Sequence, residues 1–279
     1  MSMIEVLLDK LVLNSWPLRR VLGKKLIKKF QIGSYEWRLR MGTIDRPYYG
    51  YCVYNAAFLA KKLKLKKISV IEFGVFKGKG LLNLEYHANE ITKLLGVEID
   101  IYGFDTGEGL PDPLDYRDLP YHWEKGFFKM DVPLLKSQLK KSKLILGNVK
   151  DTSKEFFKKY DPAPIGAVLY DFDFYSSTVE ALKMLEAGDK YYLPRVFCYF
   201  DDTMGNELEL YNDCTGQRLA INEFNQAHQD IKLGIPYYLY GKKFIENWYY
   251  QIWIGHFFKH SRYNDFVSGQ QVDAQEKQG

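Results

Sequence analysis

Four aspartates stand in two tight pairs: Asp171 and Asp173 in "YDFDFYSST", and Asp201 and Asp202 at the end of "RVFCYFDD". Each pair closes a run of apolar residues of the kind that forms a buried strand, "PIGAVLY" in the first case and "RVFCYF" in the second. If the two strands lie side by side and parallel, Asp171 arrives next to Asp201 and Asp202. Three uncompensated carboxylates at one sheet edge are costly. A hard divalent cation removes that cost, and an oxygen-only set points to Mg²⁺ or a relative and away from zinc. N-cap and helix-start roles for Asp202, Asp173 or Ser176 account for one acid at each site but not for two.

Two other strand ends carry polar groups. "EFGVFKGKG" sets Glu72 before Gly74, Gly78 and Gly80 at a strand-to-helix turn. Such glycines admit backbone close to a ligand, and the acid ahead of them suits a cationic group and opposes a phosphate. The spacing is neither a P-loop nor G-x-G-x-x-G, and a tight turn without a ligand uses the same residues. "YGFDTGEGLP" places Asp105, followed by Thr106, where nucleotide-binding α/β proteins put the acid that holds ribose hydroxyls; a turn or N-cap is the other reading. "GNVKDT" brings Asn148 to the end of a further strand, either to meet a base edge or to form a turn.

The elements that must position these groups follow from periodicity. From Lys67 onward short apolar strands alternate with helical stretches, which predicts parallel pairing and a doubly wound α/β sheet. The runs "GIPYYLYGKKF" and "NWYYQIWIGHFF" predict an antiparallel C-terminal hairpin with a short turn. Residues 1–66 form an N-terminal helical cap: two helical pieces divided near Ser15-Trp16-Pro17, then a helix over Cys52–Leu65. In the second piece Leu18, Val21, Leu22, Leu26, Ile27 and Phe30 share an apolar face expected to pack inward, leaving a solvated basic face. The same pattern also suits docking to an anionic membrane surface or acidic partner. Residues 67–266 make the catalytic domain, and 267–279 a polar, disordered tail. The segment Thr106–Lys125 is long, irregular and rich in proline and aromatic residues, the mark of a lid. It carries Tyr121, His122 and Trp123.

The 279 residues hold 46% hydrophobic residues and a formal charge of +4, enough for one large core and without the basic stripe of a nucleic-acid binder. Cys52, Cys198 and Cys214 make no metal or disulfide pattern, and no run is long enough to span a membrane, so a cytoplasmic location is expected. The apolar cap and aromatic C-terminus suit a homo-oligomer interface.

Taken in order, "EFGVFKGKG", "GFDTGEGLP", "DFDFYSST" and "FDD" resemble the class I S-adenosylmethionine-dependent methyltransferases, most closely the macrocin O-methyltransferase group that methylates macrolide sugars. The resemblance covers roughly Ile68–Asn225. It implies a Rossmann-like sheet of seven strands, mostly parallel, with an antiparallel final hairpin. It implies that Glu72, Gly74, Gly78 and Gly80 contact the methionine part of S-adenosylmethionine, that Asp105 and Thr106 lie at the ribose, and that Asn148 lies near adenine. By the same resemblance Asp171, Asp201 and Asp202 are magnesium ligands, Asp171 touching both metal and cofactor, with Asp173 orienting a ligand or a metal-bound water. "GDKYYLPR" replaces the family's usual proline–glycine turn between the two acid sites. The family's histidine in the loop after the second strand matches His122 as the general base, a surface loop histidine being the other reading; Tyr121 and Trp123 suit either stacking on an acceptor sugar ring or packing the lid closed. The implied reaction is Mg-assisted O-methylation of a hydroxyl on a sugar, a glycosylated small molecule or a polysaccharide. The competing expectations are a metal-dependent glycosyltransferase using Asp171-Phe-Asp173 as a D-x-D motif, and a non-catalytic binding module on the same fold.

Overall fold

A computed structural model describes residues 3–8, 11, 17–242 and 244–268. The division near Ser15-Trp16 and nearly all of the 267–279 tail lie outside the described residues. Seven strands form one sheet: β1 Lys67–Phe73, β2 Glu98–Asp105, β3 Lys143–Leu146, β4 Ile165–Tyr170, β5 Tyr192–Phe200, β6 Ile231–Gly234 and β7 Ile252–Phe257. Their order is β3-β2-β1-β4-β5-β7-β6. The pairs among β1 to β5 are parallel, and β7 pairs antiparallel with both β5 and β6. This is the seven-stranded, Rossmann-like α/β sheet expected from the sequence.

Alternation along the strands divides the core. Val70, Ala167 and Leu169 face one layer, and Ile71, Phe73, Val168 and Tyr170 face the other. Glu72 falls on the side of helices α4 (Pro47–Lys62) and α5 (Lys79–Leu95), among apolar residues, where a carboxylate is costly. Register then fixes the site. Phe73 pairs with Tyr170, and Tyr170 with Phe200. The three rings stack, Tyr170 on Phe200 at 4.3 Å and Phe73 on Tyr170 at 5.4 Å. The residues that follow them, Gly74, Asp171 and Asp201, therefore leave the sheet side by side. Strand order reverses between β1 and β4, the place where open α/β sheets bind ligands.

Three expectations need correction. The C-terminal hairpin is antiparallel, but its first strand is Ile231–Gly234; the aromatic run after it turns at Pro236 and forms a 3₁₀ turn at Tyr237–Leu239. A long connection, 235–251, replaces the short turn, because Pro236 cannot donate to a ladder. The helix expected over Cys52–Leu65 begins earlier, with Pro47 in its first turn.

The third concerns α2 (Pro17–Phe30). Among the described side chains of its apolar set only Ile27 is buried, at 1% exposure, while Val21, Leu22, Leu26 and Phe30 are 52–64% exposed. The side chain of Leu18 lies outside the described residues. The inward face is Arg20, Lys24 and Ile27, one helical stripe. Arg20 and Lys24 both pair with Glu246, Arg20 at 2.8 Å. Ile27 packs on Trp37 of α3 (Tyr35–Arg40), and Leu8 of α1 (Met3–Leu8) joins that cluster.

Candidate functional site

One cavity of about 430 Å³ lies over the carboxyl ends of β1, β2, β4 and β5. Glu72, Gly74, Gly80, Asp105, Thr106, Asn148, Asp171, Asp173, Asp201, Asp202 and Trp123 all line it. Gly78, Tyr121 and His122 do not.

The turn after β1 is shaped by what surrounds it. Gly74 has φ +79°, and a Cβ there would stand 1.7 Å from the Asp171 carbonyl oxygen. At Gly80 a Cβ would stand 1.7 Å from Glu72 Oε1. Gly78 instead makes room for Leu135, which a Cβ would meet at 2.0 Å, so its role is packing the turn on α6 (Val132–Gln138). Asp105 accepts the N–H groups of Val75 and Phe76 on Oδ2, at 2.8 and 2.9 Å, and that of Gly107 on Oδ1 at 2.6 Å. It braces the glycine turn with three of a carboxylate's roughly four acceptor positions and also lines the cavity. Thr106 closes its own turn, donating to the Gly109 carbonyl. Asn148 caps α7 (Val149–Tyr160) by accepting from the Lys150 N–H on Oδ1, and its amide NH₂ has no partner among the described residues.

Glu72 is 1% exposed. Its Oε1 accepts from Tyr49 Oη at 2.8 Å, and its Oε2 has no partner among the described residues. Burial pushes its carboxyl up to about 8, against the opposing pull of Tyr49 and Arg46. A buried acceptor without a donor, beside a ligand-sized cavity, fits a cationic ligand group.

The aspartates repel one another. Burial first, and then Asp201 and Asp202, hold the Asp171 carboxyl well above the usual range; burial, Asp202 and Asp201 do the same for Asp173. Asp202 is raised as well, by burial and Asp201. The donor set is all oxygen, as a hard cation requires. Yet among the described residues no three of these side chains are gathered as a metal-holding group. Two of the three expected ligands have other partners in this arrangement. Asp202 accepts from the Asp173 N–H and from Tyr211 Oη, both at 2.9 Å, and Asp201 accepts from Tyr199 Oη.

The segment after β2 folds over the cavity. Trp123 and Phe128 form part of the wall. His122 sits behind it, against Trp123, with Nε2 3.7 Å from Glu209 Oε1. Tyr121 is 62% exposed and donates to the Glu209 carbonyl at 2.9 Å, so it latches the lid to the loop after β5 and does not stack in the cavity. Asp118, fully buried, accepts from the Ser176 N–H at 2.8 Å, from Ser176 Oγ at 2.9 Å and from the Leu114 N–H at 2.9 Å. It thereby caps α8 (Tyr175–Leu182), whose own N-cap residue Phe174 supplies no side-chain acceptor.

Two lining residues, Arg46 and Glu209, were not singled out individually by sequence reasoning. Arg46 opens the stretch "RPYYGY", which the structure divides, with Arg46 in the wall while Tyr48 stacks on Tyr199 and Tyr49 bonds Glu72. The nearby tyrosines, Glu72 and Asp171 outweigh burial and raise the Arg46 guanidinium further, making it a fixed cation. No local pattern marks Glu209, which arrives through the fold of the loop between β5 and α9 (Gly216–Ala227).

The sheet order, the antiparallel final strand pair and the site at the β1/β4 reversal define a Rossmann-like fold of the class I S-adenosylmethionine-dependent methyltransferase type. Among solved structures the chain is similar to the O-methyltransferase NovP, at 13% identity over 75% of this chain and 79% of that one, with a TM-score of 0.50. It is also similar to the calicheamicin methyltransferase CalS11, at 16% identity over 88% and 95%, with a TM-score of 0.49. No protein-family model and no curated protein matches the chain. Among the described residues no helix is long and apolar enough to cross a membrane.

Proposed function

We propose that this protein is an S-adenosylmethionine-dependent O-methyltransferase acting, with a hard divalent cation, on a hydroxyl of a sugar, a glycosylated small molecule or a polysaccharide. One observation carries the reading: a single cavity joins Glu72, whose Oε2 has no partner among the described residues, and its glycine turn to the carboxylates of Asp171 and Asp201. When bound, the cofactor supplies a methyl group on a sulfonium, and the cation acidifies and orients the acceptor hydroxyl.

The chain's own residues then divide the work. Glu72 receives the cofactor's ammonium group on Oε2. Gly74 and Gly80 leave the space that a side chain would fill. Asp105 takes ribose hydroxyls while holding the turn, and Asn148 offers its free amide to adenine. Asp171, Asp201 and Asp202 would hold the cation, which offsets their mutual repulsion. Asp173, two positions after Asp171, orients them. His122, held in the lid behind Trp123, is the proposed base for the acceptor proton. Trp123 gives the acceptor an apolar wall.

Transfer of an isotopically labelled methyl group to a panel of glycosides and nucleotide sugars, with Mg²⁺ or with chelator, tests the reading. Label in an O-methyl group, dependent on metal and lost in Asp171→Asn, is the expected result. Label on nitrogen or carbon only, or full transfer by Asp171→Asn, would overturn it.

A further inference from the structure

The cap exposes a surface that the proposed chemistry does not use. Helix α2 carries Arg19, Arg20, Lys24, Lys25, Lys28 and Lys29 and no acid. Its inward stripe spends Arg20 and Lys24 on Glu246, and Lys28 pairs with Asp45. Arg19, Lys25 and Lys29 have no ion-pair partner among the described residues, and all three are exposed. Between them stand Val21, Leu22, Leu26 and Phe30, each more than half exposed. Beside α2, packed through Leu8 onto the same Ile27–Trp37 cluster, α1 exposes Met3 at 90%, Ile4 at 54% and Leu7 at 56%.

Folding has therefore turned charged residues inward and apolar residues outward. The outward face interleaves large apolar side chains with unpaired cations. Neither feature alone names a partner; together they do. Large apolar side chains gain by leaving water. Cations among them exclude a second copy of the same face, which would bring like charge against like. A surface that is apolar just beneath a layer of negative charge satisfies both, and that is a bilayer with anionic headgroups.

We infer that the α1–α2 cap docks the protein on an anionic lipid bilayer, with Leu22, Leu26 and Phe30 entering the headgroup boundary and Arg19, Lys25 and Lys29 meeting lipid phosphates. The attachment is peripheral and reversible, since it rests on one short helical face. Lys24 and Arg20 stay bound to Glu246 and hold the helix in its inverted orientation.

Co-sedimentation of the full chain with vesicles tests this, using phosphatidylcholine alone and phosphatidylcholine mixed with phosphatidylglycerol. Binding is expected only to the mixed vesicles and is expected to weaken with salt. Replacing both Lys25 and Lys29 with Gln should weaken it roughly 25-fold, about fivefold for each charge. Leu22→Ser with Phe30→Ser should abolish it. All four positions are exposed, so thermal melts should match the parent chain and separate lost docking from lost folding. Absence of binding to the mixed vesicles, or equal binding by parent and variants, would overturn the proposal. So would a concentration-dependent dimer in sedimentation equilibrium that Leu22→Ser/Phe30→Ser dissociates while no vesicle binds, since the face would then serve a second copy.

Discussion

Asp202 Oδ2 accepts the backbone N–H of Asp173 at 2.9 Å, tying the end of β5 to the end of β4. Asp173 has φ +57°, a left-handed conformation that a non-glycine residue holds only when its surroundings impose it. The other Asp202 oxygen accepts from Tyr211 Oη, and the Asp202 N–H donates to Gln217 Oε1. The residue expected as a metal ligand or an N-cap is thus the brace for the acidic turn. Asp202→Ala should lower stability by about 1–3 kcal/mol by leaving the half-buried Asp173 N–H and the Tyr211 hydroxyl unpartnered. Asp202→Asn, which keeps one acceptor oxygen, should cost less. Urea unfolding compares them, and an Asp202→Ala chain as stable as the parent contradicts the brace.

Glu72 gives the fold a pH dependence whose sign is fixed. Its carboxyl lies near 4.5 when unfolded and near 8 when folded, so between those values the folded state binds more protons. Stability from this group is full at low pH and falls as pH rises through the window, by about 1.4 kcal/mol per unit of displacement. Glu72→Gln should flatten that part of the profile, leaving the contributions of the raised aspartates. Thermal melts across the window in the absence of divalent metal measure it; an unchanged slope in Glu72→Gln contradicts the assignment.

Gly74 and Gly80 should fail differently when replaced by Ala. At Gly74 the new Cβ meets the Asp171 backbone, and φ is positive, so folding should lose about 2–5 kcal/mol. At Gly80 the Cβ meets the movable end of Glu72. Gly80→Ala should stay folded, displace that carboxylate and lose S-adenosylhomocysteine affinity. Adding Glu72→Gln to Gly80→Ala should then cost little more, since both act on one contact. Calorimetric affinities that add fully would contradict the coupling.

Asp118 joins the lid to α8 and should control lid order more than the chemistry. Asp118→Ala removes three accepted hydrogen bonds, and with them the cap on α8. Limited proteolysis should then cut within 106–130 faster than in the parent chain. Equal cleavage rates would show that Tyr121 and the aromatic wall hold the lid without it.

Most of the sheet was legible because its strands are short, apolar and separated by helices with the right period. The cavity's acids were legible because parallel neighbours end together, as the Phe73–Tyr170–Phe200 register shows. What was not legible depended on distant partners. The orientation of α2 is set by Glu246, more than two hundred positions away, so a helical wheel put the wrong face inward. Glu209 reaches the cavity through loop conformation alone. The aromatic run around Tyr237 has strand composition, but Pro236 and the 3₁₀ turn keep it out of the sheet. His122 sits in the lid as expected, yet one layer behind the wall, a displacement that spacing cannot encode.

The central claim is that the cavity is a cofactor site whose cation-receiving carboxylate is Glu72. Isothermal titration of S-adenosylhomocysteine into the full chain, in chelator and without an acceptor, tests it most directly. One-to-one binding without divalent metal, lost or strongly weakened in Glu72→Gln and retained in Asp201→Asn, is the predicted result. No binding of that ligand, together with metal-dependent binding of a nucleotide sugar, would contradict the account and assign the Asp171-Phe-Asp173 acids to glycosyl transfer.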